Sequence, residues 1–182
     1  GITVVSLAPR FIGEFEKGID YKGDLKAFEE SLQQHVAIAR EVGPYKISIH
    51  SGSDKFSIYP IIGRVCGNLL HVKTAGTSYL EALRVVARVD QPLFREIVDY
   101  SGGRFSDDKA SYHISVTDGD VPELLKAETA DLEKVFLDEN KGRQVLHVTF
   151  GSVLTKGQAA SGRSFKEAIL EILGGDRKST RL

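Results

Sequence analysis

Residues 46–81 read KISIHSGSDKFSIYPIIGRVCGNLLHVKTAGTSYLE. Two short strand-like runs, 46–50 and 69–74, each carry a histidine, His50 and His71. Each run leads into a small, polar, glycine-containing turn and then into a segment with helical spacing. Strand, polar loop, helix is the repeat of parallel α/β folds, and the loops after the strands are where such folds build their sites.

Upstream, ITVVSLA at 2–8 reads as a buried strand ended by Pro9. A charged, glycine-bearing loop fills 10–23. Asp24 is placed to cap a helix whose apolar stripe is Leu25, Phe28, Leu32, Val36 and Ala39, with Gly43 and Pro44 as its stop. Between the two histidine strands, 58–66 reads as a helix with Pro60 in its first turn. Downstream, Ser78-Tyr-Leu-Glu81 has the form of a capping box and opens a helix through about Val89, followed by a second helical piece over 92–100. Residues 101–110 read as a polar loop and 112–117 as a possible fourth strand. A helix is expected from Asp120-Val-Pro-Glu123 to about Asn140, ending at Gly142. VLHVTF at 145–150 alternates as a strand does. Ser164-Phe-Lys-Glu167 is a second capping box, opening a last helix that stops at Gly174.

This alternation predicts an α/β fold of TIM-barrel-like (β/α) repeats. A complete (β/α)8 barrel takes roughly 250 residues, so 182 residues accommodate four to five units, the C-terminal half of a barrel. Residues 1–175 are expected to form that partial barrel domain, and 176–182 (DRKSTRL) a non-native-looking tail. The chain has no Met and opens directly on a strand, which leads us to expect a missing N-terminal part.

Side chains alternate along a strand. Ile47 and Ile49 therefore oppose Lys46, Ser48 and His50; Leu70 and Val72 oppose His71 and Lys73. In the two further runs His113 and His147 likewise oppose aliphatic residues. In a parallel barrel the aliphatic face packs on helices and the polar face points inward. Imidazoles gathered on one face, with a carboxylate, suit a divalent metal; the competing reading is a hydrogen-bonded interior histidine. His50 and His71 are the metal candidates, because both adjoin glycine-bearing loops. His113 and His147 stay open between the two readings, and His35, on a helix, reads as structural. The loop Ser51-Gly-Ser-Asp54-Lys55 offers hydroxyls, an acid and a base. The stretch Lys73-Thr-Ala-Gly-Thr77-Ser78 offers a cation and a helix N-terminus, which favours an anion. Glu14 is a possible acid/base or ligand, and equally a solvated surface acid.

Hydrophobic residues make up 41% of the chain and charged residues 27%, in the range of globular proteins, and the formal net charge is -1. That balance provides no attraction for nucleic acid or an anionic membrane. No apolar run is long enough to span a bilayer and none has the form of a signal peptide. The single cysteine, Cys66, excludes an internal disulfide, fits a cytoplasmic location and sits among apolar residues as a small buried side chain. No GxGxxG, Walker loop, GxSxG or CxxC is present. Nothing in the sequence bears on oligomeric state.

The strings SIHSGSDKFSIYP and HVKTAGTSYLEALR, with the opening SLAPRFIGEFEKGIDY, resemble the tagaturonate epimerase family, also described as hexuronate 4-epimerases. The similarity spans residues 2 to about 173. It implies a TIM-barrel-like, divalent-metal-dependent isomerase that interconverts D-tagaturonate and D-fructuronate at C4 in hexuronate catabolism, with a small-molecule hexuronate as its partner. It implies His50 and His71 as metal ligands, Glu14 as acid/base, and Asp54, Lys55 and Lys73 as substrate contacts; Thr77 and Ser78 are substrate-contact candidates from the helix N-terminus reading above. Family members are longer, so further catalytic residues are expected outside this chain. The C4 hydrogen is not acidified by a ketone at C2. Two routes remain open: retro-aldol cleavage between C3 and C4 with re-addition, or proton exchange by two groups astride C4. The alternatives are another metal-dependent sugar isomerase, a class II aldolase-like enzyme, or a non-catalytic sugar-acid-binding fragment.

Overall fold

The computed structural model describes residues 3–74, 76–109 and 112–179. It comprises two compact units, Gly1–Ala75 and Gly76–Leu182.

In the first unit the elements run β1 (Ser6–Leu7), α1 (Leu25–Val42), β2 (Lys46–Ile49), α2 (Tyr59–Cys66) and β3 (Leu70–Val72). The three strands form one parallel sheet in the order β1-β2-β3, with Ser6 opposite Lys46, Ser48 opposite His71 and Ile49 opposite Val72. Asp24 caps α1, its carboxylate accepting from Ala27 N at 2.8 Å. The stripe Phe28, Leu32, Val36 and Ala39 is buried as the spacing predicts, while Leu25 is exposed. That stripe packs with Ile47 and Ile49 of β2 and with Ile58, Ile61, Ile62 and Cys66 of α2. One face of the sheet is thus the aliphatic, helix-covered face.

The second unit consists of helices α3 (Thr77–Val89), α4 (Gln91–Asp108), α5 (Val121–Leu125), α6 (Asn140–Lys156) and α7 (Phe165–Ser179). Between α5 and α6 lie a 3-10 turn, Thr129–Asp131, and a π-helical turn, Lys134–Asp138. Its core joins Leu80, Leu83, Phe94, Ile97, Phe136, Val145, Leu146 and Phe165. The described residues of this unit contain no regular strand. The architecture is therefore mixed α/β with a small parallel sheet of three strands, in place of the four to five (β/α) units expected.

Several local expectations are corrected here. VLHVTF lies inside α6, not in a strand. Gln144 to Thr149 are buried without interruption, so this stretch of the helix is enclosed on all sides and has no polar stripe to reveal its period. Residues 112–117 form an extended connection whose Ser115 and Val116 amides donate to Gln144 Oε1 at 3.2 and 3.0 Å. The polar residues from 101 on continue α4 to Asp108. Phe105 is buried and Gly102 fits against Leu125, so packing overrides the poor helix propensity of the Gly pair. The helix expected over 120–140 is broken into three short pieces, and α6 begins at Asn140 and runs through Gly142. Likewise α7 continues past Gly174 to Ser179. Ser164 and Glu167 do form a capping box, with Ser164 Oγ donating to Glu167 Oε2 at 2.9 Å and Glu167 N donating to Ser164 Oγ at 3.2 Å. Ser78 does not: α3 starts at Thr77, its N-cap is Gly76 with no side-chain cap, and Glu81 pairs with Arg84 instead. Residues 180–182 of the tail lie outside the described residues.

Candidate active site

The C-terminal edge of the first unit's sheet gathers the polar residues singled out in the sequence. β2 and β3 end side by side: Lys73 N donates to Ile49 O and Gly52 N to Lys73 O, both at 3.1 Å. Ser48 is opposite His71, and His50 follows β2 directly as the first residue of the loop after it. Both imidazoles are exposed, whereas Ser48 between them is buried. Ser48 Oγ lies 3.1 Å from His71 Nδ1. That contact engages Nδ1, as a second group does when it orients a ligating histidine, and leaves Nε2 for another partner. Among the described residues no third His, Cys, Asp or Glu joins the pair. His50 and His71 thus offer two of the donors a divalent-metal site would need.

The loop after β2 is held in an uncommon backbone. Ser51 and Asp54 have φ of 55° and 63°, left-handed for non-glycine residues, a conformation that costs free energy and clusters at functional sites. Gly52 fits because a Cβ there would meet Val72 Cγ1 at 2.6 Å. Tyr59 Oη donates to Gly52 O and receives Lys55 N at 3.3 Å. Asp54 is buried beside Lys55.

Lys55 is wholly buried, and its ammonium donates to Glu16 O at 2.7 Å, to Ser53 O at 3.2 Å and to Ile19 O. Burial pulls its pKa down to about 8, against the raising influence of Asp54 and Asp20. The three carbonyls take the donors that a substrate contact would need, so its place in the sequence gave no hint of this structural engagement. Two of the three, Glu16 and Ile19, lie on the loop after β1. There Glu16 is buried and paired with Lys22 at 2.7 Å, and Asp20 accepts from Ser57 N and Oγ. Lys17, between them, was not singled out from the sequence. Its ammonium is held below its ordinary value by burial and then by the charge of Lys73. Lys73 itself is exposed.

Glu14 is exposed and its backbone pairs with Lys22. His35 is half-buried on α1, edge-on to Phe11, and Cys66 is buried, which raises its thiol pKa. In the second unit Thr77 and Ser78 stand at the N-terminus of α3. Thr77 Oγ1 is buried without a partner among the described residues, and Ser78 is exposed. His147 is buried in α6, where its ring fills the space above Gly76, and His113 is exposed on the connection. Neither lies on a strand, so the alternation argument does not apply to them.

These features define a parallel α/β segment with paired imidazoles and lysines at the carboxyl ends of its strands, the usual location of small-molecule sites in such sheets. The chain belongs to the tagaturonate epimerase family, whose model matches residues 1–181. It is 53% identical over 166 residues to the tagaturonate/fructuronate epimerase of Thermotoga maritima, covering 91% of this chain and 34% of that protein. It is similar to the native crystal structure of the fructuronate-tagaturonate epimerase from Cohnella laeviribosi, at TM-score 0.80 and 42% identity, over 95% of this chain and 35% of that one. The same enzyme with two glycerols matches at TM-score 0.79 and 41% identity, over 96% and 35%. The chain spans about a third of the length of these relatives.

Proposed function

We propose that this chain carries one wall of the active site of an isomerase that interconverts D-tagaturonate and D-fructuronate by epimerisation at C4. The observation that carries the reading is the sheet itself: helices cover its aliphatic face, while Ser48 and His71 are opposite each other on the adjoining strands and His50 follows at the C-terminal end of β2. In the reading that fits the relatives' length, the remaining two thirds of such a protein complete a barrel-like sheet and cover that polar face.

His50 and His71 would hold a divalent metal, with a third donor from outside the described residues. Such a metal supplies Lewis acidity for an enediolate. Ser48 fixes the His71 ring, Lys73 faces the uronate carboxylate, Asp54 borders the substrate from the β2 loop, and Glu14 is the acid/base candidate. Lys55 serves the site by holding loops rather than by touching the sugar.

Metal content measured by mass spectrometry tests the first point. The wild-type chain should retain zinc or manganese after dialysis, and the His50→Ala/His71→Ala pair should lose it; a double variant that still binds metal sinks the assignment. Turnover of D-tagaturonate in D2O tests the chemistry. Deuterium at C4 of the product indicates two-base exchange, and its absence with a trapped three-carbon aldehyde indicates retro-aldol cleavage.

A further inference from the structure

We infer that the Lys55 ammonium acts as a tethered monovalent cation: it is a positioning residue that clips the hairpin bearing Glu14 onto the loop after β2, in a cradle of three backbone carbonyls fitted to a primary ammonium.

Residues 14–22 form a small hairpin, closed where Glu14 N donates to Lys22 O at 2.8 Å and Lys22 N to Glu14 O at 3.3 Å. Its turn presents Glu16 O and Ile19 O to the Lys55 ammonium, and Ser53 O of the loop after β2 is the third acceptor. A primary ammonium has three N–H donors and no acceptor, so three carbonyls match it completely; a neutral amine would turn a lone pair on one of them. Lys55 has no exposed surface, and Glu16, Ile19 and Ser53 are buried around it. Burial opposes the charge, and Asp54 and Asp20 favour it. The base of the clip is fixed as well, because Lys55 N donates to Tyr59 Oη at 3.3 Å and Tyr59 Oη donates to Gly52 O. A neutral side chain of the same shape could fill the space but would deprive three buried carbonyls of this donor, so the charge and its N–H groups, not the bulk, hold the hairpin. Asp20 ties the hairpin to Ser57 independently, accepting from its N and Oγ at 3.1 and 2.9 Å. The hairpin therefore keeps one anchor when the amine is removed. The clip sets the stretch that bears Glu14 against the loop that follows His50; its value for catalysis rests on the proposed epimerase site, and the clip itself does not.

Amide hydrogen exchange of the full chain provides the test, with Lys55→Met as a neutral side chain of similar length and Lys55→Ala as the emptied cradle. Exchange at the Glu14 and Lys22 amides should rise about 10- to 100-fold in both, the worth of a hydrogen bond to a charged group, with the amides of α1 unchanged. n-Propylammonium supplies the atoms that Lys55→Ala removes and should restore slow exchange there. n-Propanol, of the same length and without the charge, should not, and Lys55→Met should respond to neither. In the wild-type chain an ammonium-selective nitrogen NMR spectrum should show Lys55 Nζ with slowly exchanging protons. Unchanged exchange in Lys55→Met, or a rise spread equally through α1, overturns the clip. Equal restoration by propanol, or none by propylammonium, overturns the cation cradle. Rapid proton exchange at Nζ of the wild type overturns it without any variant. No hexuronate enters these measurements, so a failed clip leaves the proposed function standing and a failed function leaves the clip.

Discussion

Lys55 shows how a single buried charge can be read from its surroundings. Its pKa lies at about 8, and the unfolded chain holds the same proton up to about 10.4. Between those values the unfolded state binds more protons than the folded state, so stability rises with pH across that window. Urea midpoints of the wild type, compared with Lys55→Met at pH 7.5, 9 and 10, should show the difference shifting in favour of the wild type as pH rises. Gly76 shows the steric counterpart. A Cβ there would overlap Nδ1 and Cε1 of His147. Gly76→Ala should cost about 1–3 kcal/mol, the usual range for overpacking. A double-mutant cycle with His147→Ala should give a non-additive term, because the second substitution removes the clash. Ser48→Ala belongs at this scale too. Under the proposed metal role of His71, loss of the hydroxyl beside it should lower metal affinity roughly 10- to 100-fold, the usual effect of removing a group that orients a ligand, as read by competition with a chelating dye.

At the level of elements, Gln144 decides the course of residues 112–117. Its amide oxygen accepts from two consecutive backbone amides, and the side chain is fully buried. Gln144→Leu removes both acceptors at similar volume and should cost about 2–3 kcal/mol. Amide exchange should rise at Ser115 and Val116 before it rises in α4. The same residue explains why HIS at 113–115 resembles a strand yet is not one: the ladder bonds it would make to a neighbour go to a helix side chain instead. In α6 the misleading signal is hydrophobic alternation. A helix buried all round presents no periodic stripe, and Thr149 satisfies its hydroxyl on Val145 O at 2.8 Å, so buried polar residues carry no marker of period. By contrast, α1 was legible because only one of its faces is covered. Asp24 and the Phe28–Leu32–Val36–Ala39 stripe each carry local information.

For the whole molecule, the exposure of the two imidazoles at the strand ends has a measurable consequence. His50 and His71 are exposed and His147 is buried. Diethylpyrocarbonate should modify the first two rapidly and His147 slowly, as resolved by peptide mass spectrometry. A full-length member of the family should protect the equivalents of the first two if the remaining chain covers that face. Among the described residues no helix is long and apolar enough to cross a membrane. The sequence by itself determined the parallel strands that carry His71 and lead to His50, the capped α1, the buried Cys66 and the family, because period-2 alternation, capping chemistry and unusual strings are local. Only the tertiary structure decided that the second unit is helical and that Lys55 is occupied by three carbonyls. Those outcomes depend on contacts between residues tens of positions apart, whose burial and partners no local spacing encodes.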